Sequence, residues 1–135
     1  MKRFLLVALS ALFASAALAD APTYSLDTSG STKELKAGKD GTFALAIKPA
    51  KGFHVNAEAP LKITLTAERV KPAKDALGHA DAADPKAESR SFKVALKSTE
   101  AGKGSITADA TFVICSETIC EKKTEKVTLA LDVKP

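Results

Sequence analysis

Ile106-Thr107-Ala108-Asp109-Ala110-Thr111-Phe112-Val113-Ile114-Cys115-Ser116-Glu117-Thr118-Ile119-Cys120 alternates apolar Ile106, Ala108, Ala110, Phe112 and Ile114 with Thr107, Asp109, Thr111 and Val113. A period of two places the first set on one face of an extended chain, which reads as a half-buried β-strand. The alternation stops at Cys115, and Cys120 begins the return toward a second alternating run, Val127, Leu129, Leu131 and Val133. The stretch is thus expected to be a hairpin with a cysteine at each side of its mouth.

The same period recurs outward from this hairpin. Phe43, Leu45 and Ile47 form one such run, Leu61, Ile63 and Leu65 a second, and Phe92, Val94 and Leu96 a third, with Tyr24–Thr28 a weaker strand. Turn-forming pairs separate them: Ser29-Gly30, Ala37-Gly38, Asp40-Gly41, Lys51-Gly52 and Ala101-Gly102. Short strands at this spacing, each with one buried face, predict an all-β fold, an immunoglobulin-like antiparallel β-sandwich. The chain has no Trp, so the aromatic marker of antibody domains does not fix the strand order. Residues 71–90, rich in Ala, Lys and Asp, break the rhythm and read as a long loop whose composition would tolerate a short helix near Ala73–Ala80.

Toward the N-terminus, Lys2 and Arg3 precede an apolar stretch from Phe4 to Leu18 that ends in Ala17-Leu18-Ala19. That is the layout of a secretory signal peptide, expected over residues 1–19 and cleaved to leave a single domain at 20–135. The apolar stretch is shorter than the roughly 20 residues that span a bilayer, and no later stretch is long and apolar enough. No cysteine follows the cleavage site to carry a lipid. Removing Lys2 and Arg3 lowers the net charge from +4 to +2, with lysines and acids interleaved. This pattern lacks the basic patch of a nucleic-acid surface. Export to the periplasm and a monomeric state without a membrane span are the expectations for the mature chain.

In an oxidising compartment the two cysteines, Cys115 and Cys120, are expected to pair. Opposed residues in a non-hydrogen-bonded antiparallel pair have Cα atoms roughly 4.5 Å apart, close enough for a disulfide. Strand parity turns both cysteines away from the face of Phe112 and Ile114. Glu121, Lys123 and Glu125 then make the return strand polar on its core side near the tip. Together these predict a tip that projects beyond the core and an accessible disulfide. Closing a loop of about six residues stabilises by only about 2 kcal/mol in the chain-entropy model, so stability alone explains the bridge weakly. Glu117 and Glu121 oppose, and Lys122 and Lys123 favour, a thiolate nearby. With no Cys-x-x-Cys motif at a helix start, the pair suits being attacked by a partner's thiolate better than attacking one.

Thr111-Phe112-Val113-Ile114-Cys115 through Cys120 to Val127-Thr128-Leu129, with the earlier Gly52-Phe53-His54-Val55-Asn56 and Pro60, resembles the N-terminal periplasmic domain of the thiol:disulfide interchange protein DsbD. The order also matches: the His-x-Asn segment, a long variable loop, the cysteine hairpin, a last strand. The resemblance implies an immunoglobulin-like sandwich with Cys115 and Cys120 as a redox-active pair. It further implies relay of electrons to envelope partners, including disulfide isomerases and components of cytochrome c maturation. This chain shows no transmembrane region or thioredoxin-like domain, so a separate electron donor is expected. The counterpart of the family's cap loop, residues 71–90, contains no Phe, Tyr or Trp.

Two functional readings follow from these residues. One is a periplasmic thiol–disulfide exchange module using Cys115 and Cys120, and the other a non-catalytic binding or scaffold domain whose disulfide clips the hairpin. Cys115, Cys120, His54 and His79 have the chemistry of a zinc set, but their spacing matches no finger and exported cysteines are expected to be oxidised; no metal or cofactor is expected. His54 reads as a hydrogen-bonded structural residue beside a strand, Asn56 as a turn-shaping one, and Tyr24 and Phe53 as core or rim packing. No triad order, phosphate loop or carboxylate pair indicates a hydrolase or nucleotide enzyme.

Overall fold

The runs of period two become strands in the computed structural model, which describes residues 21–135; the expected signal segment, 1–19, lies outside them. In chain order the strands are β1 (Tyr24–Asp27), β2 (Glu34–Lys36), β3 (Asp40–Pro49), β4 (His54–Val55) and β5 (Lys62–Glu68). They continue with β6 (Val70–Pro72), β7 (Ala76–Leu77), β8 (Arg90–Ser98), β9 (Gly102–Cys115) and β10 (Cys120–Lys134). Four of them form one sheet in the order β1-β3-β8-β6. The other sheet runs β2-β10-β9-β5-β7, with β4 also on β9. The fold is an all-β immunoglobulin-like sandwich. One pairing differs from the antiparallel rule: β2 lies parallel to β10, with Leu35 opposite Val133.

The inner faces of the two sheets meet in a single core. Phe43, Leu45 and Ile47 of β3 and Phe92, Val94 and Leu96 of β8 supply one side. Ile63 and Leu65 of β5, Ile106 to Ile114 of β9, and Leu129, Leu131 and Val133 of β10 supply the other. These are the apolar positions of the sequence runs, so alternation alone set which side chains went inside. On the outer face of the hairpin, Thr107 opposes Thr128 and Thr111 opposes Thr124, with hydroxyl contacts of 3.1 and 3.5 Å. Such cross-strand pairs add to sheet stability and keep the register.

Residues 71–90 are not one continuous loop, and the α-helix that their composition would tolerate near Ala73–Ala80 does not form. The segment crosses between the sheets instead. Val70–Pro72 pairs with β8, and Ala76–Leu77 pairs with β5 on the opposite sheet. Only His79–Asp81 forms a single 3-10 turn. Buried Leu77 anchors the crossing in the core, and that apolar contact outweighs the helix preference of the surrounding alanines. Farther on, Arg90 closes the inward stripe of β8 in place of an apolar residue. It is fully buried, and its Nη1 donates to the carbonyls of Ala87 and Ser89. The returning end of the crossing is thereby tied to the end of the sandwich.

Truncating Phe112 to Ala should cost about 3–5 kcal/mol, as for other large buried aromatics. Replacing both cysteines by Ser should cost only about 2 kcal/mol. Urea denaturation is therefore expected to show a folded cysteine-free variant that is more stable than the Phe112→Ala variant. The reverse order would mean that the hairpin depends on its cross-link.

Candidate functional site

The hairpin joining β9 and β10 carries Cys115 and Cys120 directly opposite each other. Between them, the Ser116 N–H donates to the Ile119 carbonyl at 2.8 Å. Ser116 Oγ accepts from the N–H groups of Thr118 and Ile119 at 3.3 and 3.2 Å. Ser116 thus shapes the tip from inside, as serine hydroxyls do in turns. One step along the ladder from this hydrogen-bonded pair, the cysteines fall at the non-hydrogen-bonded spacing where side chains approach closely. They form a disulfide with S–S 2.02 Å and Cα atoms 4.0 Å apart.

The two cysteines do not share one environment, so the accessible bridge expected from the sequence is open on the Cys120 side only. Cys120 is exposed, whereas Cys115 retains only 2% of its accessible surface. Strand β4 makes the difference. It pairs with β9 beyond the end of β5, setting His54 opposite Cys115 and Val55 opposite Ile114. The β5 side of β9 therefore stays covered up to its last residue. On the β10 side the inner face grades from buried Leu131 and Leu129 to half-buried Glu125 and Lys123 and exposed Glu121. The tip overhangs the core along β10 alone.

A short turn aims β4. Phe53 N–H donates to the Ala50 carbonyl at 3.0 Å, and Gly52 takes φ +85°, a left-handed conformation open to glycine and strained for other residues. Beyond β4, the Asn56 N–H donates to the Val113 carbonyl at 2.9 Å. Its side-chain Oδ1 accepts from the N–H groups of Glu58 and Ala59 at 2.8 and 3.0 Å. That places Asn56 Nδ2 3.4 Å from Cys115 Sγ. The sequence reading had Asn56 shaping a turn, which it does, but not touching a sulfur. A two-residue strand has no periodicity to reveal it; the turn signal Lys51-Gly52 ahead of His54-x-Asn56 was the one available clue.

The remaining candidates are placed as follows. His54 is exposed beside Cys115. His79 lies away from the sulfurs, with Nε2 2.7 Å from the Ala59 carbonyl and Nδ1 3.5 Å from Arg90 Nε. Among the described residues no three metal-ligating side chains gather. Phe53 and Tyr24 pack against the core. The end of the crossing segment runs beside β4, where Val55 N–H donates to the Glu88 carbonyl at 2.8 Å, and it leaves Cys120 open. Ile119, adjoining Cys120, is 53% exposed and is the one large apolar side chain so exposed among the described residues.

Next to the tip, Pro22, Tyr24 and Leu26 face Glu121, Lys123 and Glu125 across an open groove of about 700 Å³. Lys123 pairs with Glu121 at 2.6 Å. Tyr24 stands edge-on to Phe112, ring centroids 5.1 Å apart, and its hydroxyl donates to Glu125. Burial first, then the Glu125 carboxylate, pushes the Tyr24 phenol up to about 12.

No protein-family model matches the chain, and no curated protein does. Among solved structures it is similar to native alpha-2-macroglobulin of E. coli, at 16% identity and TM-score 0.48 over 83% of this chain; it spans only 6% of that chain. A conjugate transposon protein of Bacteroides vulgatus is similar at 12% identity and TM-score 0.48, with 90% of this chain and 93% of that one covered. Domains 4 and 5 of the S-layer protein SbsC follow at 16% identity and TM-score 0.39, covering 82% and 51%.

Tyr24 is the only tyrosine in the chain, so tyrosinate absorbance reports it alone. The titration should have its midpoint near 12 rather than near the ordinary value of about 10. Glu125→Ala should move the midpoint downward. A normal midpoint in the parent protein would show that the hydroxyl is not held against Glu125.

Proposed function

We propose that this domain is an exported thiol–disulfide interchange module that relays electrons through the Cys115–Cys120 disulfide. The observation that carries the proposal is the asymmetry of the bridge: Cys120 stands open at a hairpin tip while Cys115 is covered. A thiolate must approach along the S–S axis to displace the far sulfur, and whichever sulfur is reachable decides the direction of attack. Here the reachable one is Cys120. A partner's thiolate would form a mixed disulfide with Cys120 and release Cys115 as the resolving thiol.

Placement in the periplasm rests on the signal-like residues 1–19 and on cysteines that are bonded. Resemblance to the DsbD N-terminal domain supports a family of partners: a membrane-held electron donor, and disulfide isomerases or cytochrome c maturation proteins as acceptors. Ile119 supplies the apolar contact such a partner would cover, one residue from the reacting sulfur. An exposed apolar side chain at a reactive tip is what a transient protein contact uses.

The second reading, a binding or scaffold domain with a clip disulfide, draws on the cover over Cys115. The reduction potential separates the two. Exchange requires a value above about −300 mV, and a structural bridge lies below it. A Cys115→Ser variant, which leaves Cys120 unable to be resolved, should then accumulate a mixed disulfide with an envelope protein. A potential below that limit with no trapped species would remove the exchange reading. Ile119→Ser should slow exchange with a protein partner roughly tenfold, the burial worth of such a side chain, and leave reduction by dithiothreitol unchanged. Equal slowing of both reactions would place Ile119 in the fold rather than in the contact.

A further inference from the structure

The Asn56 side chain has an orientation that is fixed from several directions. Its Oδ1 is occupied by two backbone donors, at 2.8 and 3.0 Å. Only the amide NH2 is left to face Cys115 Sγ, 3.4 Å away. An amide placed the other way round would break both turn bonds and set an oxygen against the sulfur, so the network assigns the flip. The turn is itself braced: the Ala59 carbonyl, one end of it, accepts from His79 Nε2 at 2.7 Å. With Nε2 carrying the proton, His79 Nδ1 is left as acceptor toward Arg90 Nε at 3.5 Å, and Arg90 is fully buried. A line of contacts therefore runs from the end of the core to the sulfur.

What such a donor does depends on the charge of the sulfur. In a disulfide or a thiol, sulfur is a weak acceptor, and the contact stabilises little. Once negative charge develops on Sγ the same contact becomes a charge-assisted hydrogen bond, about twice as strong as a neutral one. Burial of Cys115 works in the opposite direction, since it penalises the anion. Without a donor, a sulfur so covered would be a poor leaving group.

We infer that Asn56 is the hydrogen-bond donor that holds the Cys115 sulfur as a thiolate while it leaves. The inference rests on the exchange reading given above and specifies which residue makes exchange at a half-covered disulfide feasible. In the first step the partner's thiolate forms an S–S bond to Cys120 Sγ. The Cys115–Cys120 bond breaks, and its electron pair stays on Cys115 Sγ, facing Asn56 Nδ2. The partner's second thiolate then attacks its own sulfur in the mixed disulfide and frees Cys120 as thiolate. Two protons from the partner's thiols end on Cys115 and Cys120. The partner dithiol is oxidised to a disulfide and this disulfide is reduced to a dithiol. In reverse, the same contact keeps Cys115 ionised for attack on a mixed disulfide at Cys120.

Two substitutions keep the turn and remove the donor. Asn56→Asp retains an Oδ acceptor for Glu58 and Ala59 but offers the sulfur a carboxylate oxygen. Asn56→Ser retains a turn-forming hydroxyl that is too short to reach it. The test titrates the ultraviolet absorbance of the lone Cys115 thiolate in a Cys120→Ser background, a measurement that needs no exchange partner. Both substitutions should move the midpoint to higher pH, Asp further than Ser. With both cysteines present, both should slow reduction by dithiothreitol at neutral pH by roughly tenfold, the usual worth of a hydrogen bond to a charged group. Unchanged midpoints in both variants overturn the inference, and so does a shift in Asp alone, which would be charge repulsion without any lost donor. Failure of the exchange reading looks different: the parent protein would have a potential below the structural limit whatever the Asn56 variants do.

Discussion

Fourteen residue pairs hold β9 to β10, from Gly102 opposite Val133 to Cys115 opposite Cys120. This one hairpin supplies both the floor of the core and the disulfide. At one end, Ile106 and Leu129 face the opposite sheet. At the other, the strands continue past the packed layer on the β10 side only. Because side chains alternate at a period of two, the register that buries Phe112 and Ile114 necessarily turns Cys115 to the other face. Slipping the pairing by one residue would expose the core and separate the sulfurs together. Fold and site are thus tied by the same set of hydrogen bonds.

The asymmetry of the disulfide has a small cause. A hairpin whose two strands ended equally free would expose both sulfurs. Two residues of β4, delivered by the left-handed turn at Gly52, cover one side of β9 as far as Cys115. Among the described residues, β10 receives no equivalent neighbour until β2 joins it at Asp132–Lys134. Its inner positions near the tip, Glu121, Lys123 and Glu125, are accordingly polar and face an open groove. Cys120 is left exposed and the Cys115 sulfur is placed against an amide.

Alternation made most of this legible in the sequence. The five clear runs all became strands, and the hairpin begins and ends at the cysteines as the spacing required. Polar Glu121, Lys123 and Glu125 correctly marked where β10 leaves the core. The illegible parts were those fixed by contacts between distant segments. The pairings of β4, β6 and β7 involve two or three residues each, too few for a period to register. Leu77 drew residues 71–90 across the sandwich although their alanines favour helix. The cover over Cys115 could not be read from its own strand, because it comes from β4 and the neighbouring Asn56, distant in sequence. The His-x-Asn segment carries part of the resemblance to a family, and its Asn56 amide lies against the Cys115 sulfur.

Cys120 is the side of the bridge that a foreign thiolate is expected to reach. Incubating the oxidised protein with limiting glutathione, quenching with acid and mapping the adduct by peptide mass spectrometry tests it directly. The exposures of the two cysteine residues predict glutathione on Cys120, with Cys115 recovered as a free thiol. Adducts mainly on Cys115, or a bridge that remains intact while a surface disulfide of ordinary potential is reduced, would contradict it.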